Sequence, residues 1–276
     1  MKAIVAATNL SKVSTNAVHY AADMANALNA KLFIIYVNPL PIMYNDVPLP
    51  GDAFASMVEG AEKELEKLEE DINSRTQHRC EVCTQLVEGT VEFHLEEYCK
   101  TLNPFAVVMG TETSSVLERT LFGAKTLTAL KHLHWPLIIV PEGAQYTPVK
   151  KIGFACDFRD VRETVPVKEI EELVHAFNAE LHIIHASIDS GDSFSAETVA
   201  QSEEIRDLFA GLHPKYHFIT TLNLEEPVMA FAEQHHLDLL IIVPKKHDLV
   251  ARLFRPSHSK KLVLQARLPI IAMHEH

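Results

Sequence analysis

Asn29-Ala30-Lys31-Leu32-Phe33-Ile34-Ile35-Tyr36 is written a second time, 149 residues further on, as Asn178-Ala179-Glu180-Leu181-His182-Ile183-Ile184-His185. An amphipathic helix precedes each copy, and a short apolar strand precedes each helix: Ile4-Val5-Ala6-Ala7-Thr8-Asn9 and Ile152-Gly153-Phe154-Ala155-Cys156-Asp157. Each copy closes on an apolar strand opened by proline, Pro136-Leu137-Ile138-Ile139-Val140 and Pro269-Ile270-Ile271-Ala272-Met273. A repeat of this length is a duplicated domain rather than a solenoid unit. The expected domains are 1–143 and 150–276, joined through a linker that contains Gly143 and Pro148.

The same plan runs through both halves. In the first, a strand over 3–7 leads to a helix that Ser11 or Ser14 can cap. Its Ala17, Ala21, Met24 and Leu28 fall on one face. A nearly all-apolar strand over 31–37 suits a strand covered on both sides. The proline-bearing stretch 38–53 is long enough to be a lid or a partner contact. A helix carrying Val58, Ala61, Leu65, Leu68 and Ile72 follows. Next come a strand over 80–87, a helix over 91–102, a strand over 105–109 ended by Gly110, a helix over 123–134 and the closing strand. The second half has helix faces at Ile170, Leu173, Val174 and Phe177, and at Ile205, Leu208, Phe209 and Leu212. Its later strands are expected over 215–221, 239–243 and 269–273. Strands alternating with helices imply a parallel sheet with right-handed crossovers, hence two tandem Rossmann-like α/β domains with helices on both faces.

Bulk properties narrow the function. The chain of 276 residues carries 25 Lys and Arg against 37 Asp and Glu, a net charge of −12. That balance argues against nonspecific nucleic-acid binding, which depends on neutralising phosphates. Met1-Lys2 runs straight into a strand with no apolar leader, and no apolar run reaches the ~18 residues of a membrane span, so a cytoplasmic chain is expected. Cys80 and Cys83 have metal-pair spacing, but in a strand positions i and i+3 point to opposite faces and no second pair follows; no structural metal is expected. His274-Glu275-His276 reads as a frayed tail. Walker A, G-x-S-x-G and HExxH patterns are absent from the sequence.

In an open α/β sheet, ligands bind beyond the carboxyl ends of the strands, where the strand order reverses. That places a candidate site at Ala7, Thr8 and Asn9, at Val37, and at Met109 and Gly110. From there Thr111, Glu112 and Thr113 lead to Gly123, Ala124, Lys125 and Thr126 at a helix start, which suits a phosphate.

The order of elements, the Thr8-Asn9-Leu10-Ser11 segment and the spacing of Gly110, Gly123 and Pro136 resemble the universal stress protein family, in both halves. The resemblance implies an adenine-nucleotide α-hydrolase-like fold, with a five-stranded parallel sheet in each domain. It also implies, for many members, ATP held by a Gly-x2-Gly-x9-Gly-Ser/Thr motif and an acidic residue after strand one. Val37 takes the adenine-contacting position. Here Gly110 and Gly123 keep the first and third glycines, Thr113 replaces the second, Ala124 replaces the hydroxyl residue, and Asn9 replaces the acid. Glu112 adds a negative charge beside the expected phosphates.

The second copy departs differently. Asp157 restores the acid and Ser257 the hydroxyl, but Pro244 and Pro256 stand where glycines belong, and His247 takes the place of Thr113. Lys245, Lys246, His247, Arg255, Ser257, His258, Ser259 and Lys260 gather at that mouth, so an anion other than ATP is a second reading beside a solvated basic loop.

The expected function is a non-catalytic binding or signalling module in stress response, with ATP or another adenine nucleotide in the first domain and an unknown protein partner. The rivals are a weak ATPase or a hydrolase of a small phosphorylated metabolite, and a purely structural partner-binding protein. The resemblance further implies an intrachain pseudo-dimer in which the two closing strands pair antiparallel; a homodimer of chains is a further expectation.

Overall fold

The apolar runs form parallel strands within each repeat. A computed structural model describes residues 2–38, 51–111, 129, 133–156, 158, 160–187, 196–220, 225–243 and 268–274. The chain divides into two compact units, Met1–Tyr146 and Thr147–His276.

The first unit contains β1 (Ala3–Thr8), β2 (Lys31–Asn38), β3 (Val82–Glu88), β4 (Ala106–Thr111) and β5 (Leu137–Pro141). They lie in the order β3-β2-β1-β4-β5, all parallel. The helices are α1 (Lys12–Leu28), α2 (Gly51–Arg75) and α3 (Val91–Leu102). Ser11 caps α1, its side chain accepting from the Ser14 N–H. On α1, Ala17, Ala21 and Met24 are fully buried; on α2, Ala61, Leu65, Leu68 and Ile72 are buried. Small residues along α1 let it lie close over the sheet, and their burial removes apolar area from water at about 25 cal/mol per Å².

The second unit contains β6 (Lys151–Cys156), β7 (Glu180–Ser187), β8 (Lys215–Thr220), β9 (Leu239–Ile242) and β10 (Ile270–Ala272). Their order is β10-β9-β6-β7-β8, again parallel. Its helices are α4 (Val161–Thr164), α5 (Val167–Phe177), α6 (Ala196–Leu208) and α7 (Glu225–Gln234), with a 3-10 turn at Ala210–Leu212.

The repeated Asn now has a physical reason. Asn29 ends α1 with φ 50°, and Asn178 ends α5 with φ 51°. A left-handed residue turns the chain out of a helix, and asparagine tolerates that conformation better than most residues with a Cβ. In both copies the next amide closes the turn: Ala30 N–H donates to Ala25 O and Ala179 N–H to Val174 O.

Several expected boundaries move. Gly110 does not end the fourth strand; it lies inside β4, paired with Val140, and Thr111 pairs with Pro141. A Cβ on Gly110 would lie 2.7 Å from the Val13 carbonyl oxygen, so the bare backbone lets the first turn of α1 sit on the strand. His134 is outside any helix. Cys80 precedes β3. The helix expected before the second repeat is split: Val165 is extended, as the residue before a proline tends to be, and α5 restarts after Pro166. Helix α7 takes the place that the shared plan gives to a helix between the strands over 215–221 and 239–243.

Candidate functional site

In the first unit the strand order reverses between β1 and β4, and the crevice beyond their carboxyl ends is the place for a ligand. The register brings the candidate residues level. Thr8 pairs with Tyr36, so Asn9 and Val37 follow side by side. Ala6 pairs with Val108, which carries Thr8 to the height of Gly110. The side chains of Ala7, Val37 and Met109 are buried in the core, so these residues can offer a ligand only their backbone. Thr8 is buried too, whereas Asn9 is exposed.

Thr8, Asn9, Ser11 and Ser14 form one hydrogen-bonded group. Ser14, with no exposed surface, is its centre. Its hydroxyl lies 2.7 Å from Asn9 Oδ1 and 3.0 Å from Thr8 Oγ1, and it accepts from the Asn9 N–H at 3.3 Å. A hydroxyl has one proton to give. The shortest contact, to an acceptor-only oxygen, takes it. Asn9 Oδ1 also accepts from the Ser11 N–H at 3.1 Å, the local turn that asparagine favours. The Leu10 N–H donates to Thr8 Oγ1 at 2.9 Å. That bond holds Leu10 at φ 62°, a left-handed conformation that costs a leucine about 1–2 kcal/mol. Strain of this kind gathers at functional sites. With its oxygen committed twice, the exposed Asn9 keeps its amide N–H groups as the donors it can offer.

Asn38, at the end of β2, is 3% exposed, and its Nδ2 has no hydrogen-bond partner among the described residues. Beside the mouth, Lys12, Thr15, Asn16, His19, Glu142 and Gly143 line an open groove of about 420 Å³. Its charges are of both signs, and His19 is bonded to Asp71 at 2.6 Å, so it does not single out an anion. Of the other expected contacts, Glu112, Thr113, Gly123, Ala124, Lys125 and Thr126 lie outside the described residues, as do Asp157, Pro244, His247, Pro256, Ser257, His258 and Ser259.

At the second mouth a ring of the chain itself covers the side toward β7 and β8. Phe158 occupies the position of Leu10, with φ 53° and 3% exposure. Its ring stacks on His185, centroids 4.2 Å apart and planes 18° apart, and meets Phe218 edge-on at 6.0 Å. His185 Nδ1 donates to the Cys156 carbonyl at 3.2 Å, fixing the ring beneath Phe158. In place of Ser14 stands Arg162, which pairs outward with Glu204 at 2.6 Å. Glycine loss had been the expected obstacle in this copy; the described residues add an aromatic plug. A bulky left-handed residue leaves no signal in the sequence, because glycine or asparagine is the usual sign of that conformation.

Cys80 is buried and Cys83 exposed. Among the described residues, no group of three His, Cys, Asp or Glu side chains could hold a metal ion, and no helix is long and apolar enough to cross a membrane.

Comparisons with known proteins agree with this architecture. The profile of the universal stress protein family matches residues 1–141. A universal stress protein of Methanocaldococcus jannaschii is 27% identical over 147 residues, which cover 50% of this chain and 81% of that protein. The crystal structure of a universal stress protein from Archaeoglobus fulgidus superposes with a TM-score of 0.72 at 18% identity, covering 99% of this chain and 96% of its own. A functionally unknown protein from Pseudomonas aeruginosa superposes over 100% of this chain and 93% of its own, with a TM-score of 0.57 at 10% identity. Both superpositions span the two repeats, which places two domains of this fold in one chain.

Proposed function

The chain belongs to the universal stress protein family, and from that premise we propose that it is a non-catalytic module of the cytoplasmic stress response whose first unit holds an adenine nucleotide. The observation that carries this reading is the buried Ser14 group, which fixes Thr8, Asn9 and a strained Leu10 at the reversal of strand order. Such a polar cluster is stabilising only when nearly every member is satisfied. Here the Asn9 amide remains to donate, and a purine ring nitrogen or a ribose oxygen can accept.

The chemistry on hand favours holding over turnover. Phosphoryl transfer needs a metal with ligands, a positioned water and charge stabilisation on the moving phosphoryl group. The sequence sets Asn9, Ala124 and Glu112 where an acid, a hydroxyl and a neutral approach would serve. The bound state would then be read by a protein partner rather than consumed.

Native mass spectrometry and equilibrium dialysis with ATP, ADP and AMP test the reading. One nucleotide per chain is expected, with affinity reduced about tenfold in Ser14→Ala, since the variant loses the bonds that hold Asn9 in place and leaving a polar partner unsatisfied is worth about 1–3 kcal/mol. No binding of any of the three at millimolar concentration sinks it. Steady-state turnover of Mg-ATP within the range of about 1–10³ s⁻¹ typical of enzymes would overturn the non-catalytic part.

A further inference from the structure

At the opposite end of β7 from the aromatic plug, three side chains of the second unit form a hydrogen-bonded chain. Glu180 and His182 alternate along β7, and Lys215 and His217 along the neighbouring β8, so each pair shares a face. Glu180 Oε1 lies 2.5 Å from His182 Nε2, and His182 Nδ1 lies 3.0 Å from His217 Nε2. His182 is 3% exposed. The two imidazole planes are 8° apart with centroids 5.2 Å apart. With a nitrogen–nitrogen contact of 3.0 Å, the rings lie edge to edge in one plane rather than face to face. A metal ion between them would need about 2.0–2.1 Å to each nitrogen and converging lone pairs. The in-line contact has room for a proton only.

The protons can be counted. An ionised carboxylate only accepts, so His182 Nε2 carries a hydrogen. A neutral imidazole has a single N–H, so His182 Nδ1 must accept and His217 Nε2 must donate. One added proton leaves the junction intact, because either ring can be the donor and Glu180 balances the charge. A second makes both rings donors at the same junction. The bond is then lost, and two cations face each other.

Among the described residues, Glu180 is the carboxylate that is hydrogen-bonded to this pair, and it is shared. Glu180 also pairs with Lys215 at 2.8 Å. Lys151, on β6, donates to the His235 carbonyl at 3.1 Å. Asp238 is committed to the backbone N–H groups of Lys150 and Lys151. The His217 ring lies 4.6 Å from Phe231 of α7 and 5.4 Å from His235 just beyond it, while Phe231 and His235 stack at 4.0 Å. Through these rings the junction ties two strands to the end of α7.

We propose that Glu180, His182 and His217 are an acid-sensitive latch that holds β7, β8 and the end of α7 together while their two rings share no more than one extra proton, and that releases when the second arrives. Burial, before any other cause, holds both imidazoles below the ordinary histidine range; His235 and Lys215 push His217 further down, and Glu180 partly offsets the shift at His182. The unfolded chain therefore takes up protons first as pH falls. The latch's contribution to stability is complete above about pH 6.5 and is lost progressively below it.

Hydrogen–deuterium exchange of the full chain at pH 7.5 and pH 5.0, corrected for intrinsic rates, tests this. Amides of β8 and α7 should exchange about tenfold faster at pH 5.0, with β2 and β3 as the internal reference. His217→Gln keeps an N–H donor but cannot titrate, and should remove most of that acid effect while leaving exchange at pH 7.5 within about twofold. An undiminished acid effect in His217→Gln overturns the proposal. Imidazole nitrogen NMR of the unsubstituted protein at pH 7.5 decides independently, even if the variant does not fold. Hydrogen on Nε2 of both rings with a bare Nδ1 on His182 supports the latch, and hydrogen on His182 Nδ1 overturns it.

Discussion

The mouths of the two units begin from equivalent positions and end in opposite states. In the first, Ser14 gathers Thr8 and the exposed Asn9 into one hydrogen-bonded polar group. In the second, Arg162 stands in place of Ser14, α5 restarts behind Pro166, and Phe158 lies flat on His185. Both mouths hold a large residue in the left-handed region at the same step, Leu10 and Phe158. Backbone geometry has thus been kept where side-chain chemistry has not. The fold needs that turn to leave the strand; the proposed nucleotide site needs what surrounds it.

Removing the plug breaks this comparison most strongly. Phe158→Ala should destabilise the second unit toward the lower end of the roughly 3–5 kcal/mol that a buried Phe→Ala change costs, since the ring has one stacked partner and one edge contact. The same variant should speed thiol labelling of the half-buried Cys156, which takes the place of Thr8 two residues before Phe158. Denaturant unfolding and labelling kinetics check both. Unchanged labelling would mean that Phe158 does not guard the mouth.

Two glycines sharpen the contrast in packing. A methyl group on Gly110 meets backbone, the Val13 carbonyl at 2.7 Å, and α1 must move. One on Gly153 meets the end of the Leu237 side chain at 2.6 Å, which can rotate away. Gly110→Ala should cost about 1–3 kcal/mol and Gly153→Ala less than half as much. Equal midpoint shifts would remove the distinction between a strand pressed by backbone and one pressed by a side chain.

Asn38 offers an effect of opposite signs. Among the described residues its buried Nδ2 has no partner, a state that costs about 1–3 kcal/mol. Asn38→Leu should raise the unfolding midpoint of the empty protein and at the same time weaken nucleotide binding at the first mouth. A variant that is more stable and binds equally well would separate Asn38 from the site. The smallest change is expected at Leu10. Leu10→Gly relieves left-handed strain of about 1–2 kcal/mol but returns about 0.5–1 kcal/mol of backbone entropy to the unfolded chain, for a net gain below about 1 kcal/mol by denaturant titration.

Much of this fold was legible in the chain. The helix Val91–Leu102 falls on its expected span, and the faces through Ala17, Ala21 and Met24 and through Leu65, Leu68 and Ile72 are buried as their spacing required. Strand ends were less legible. Gly110 reads as a terminator, yet it continues β4 because its missing side chain makes room for another element. At the site, Asn9 and Val37 do come level, but the burial of Ser14 depends on how α1 closes over β1.

By itself the sequence determined the duplication and the parallel α/β class, because these rest on periodicity and on elements close together along the chain. Only the tertiary structure decided that Ser14 is a hub, that Phe158 is a plug, and that His182 and His217 share a proton. Each of these depends on which side chains from distant segments meet, and on which of them lose their water when they do. The spacing from His182 to His217 carries no period that would announce their meeting; parallel pairing of β7 with β8 brings them within 3.0 Å, and burial then makes that single contact sensitive to acid.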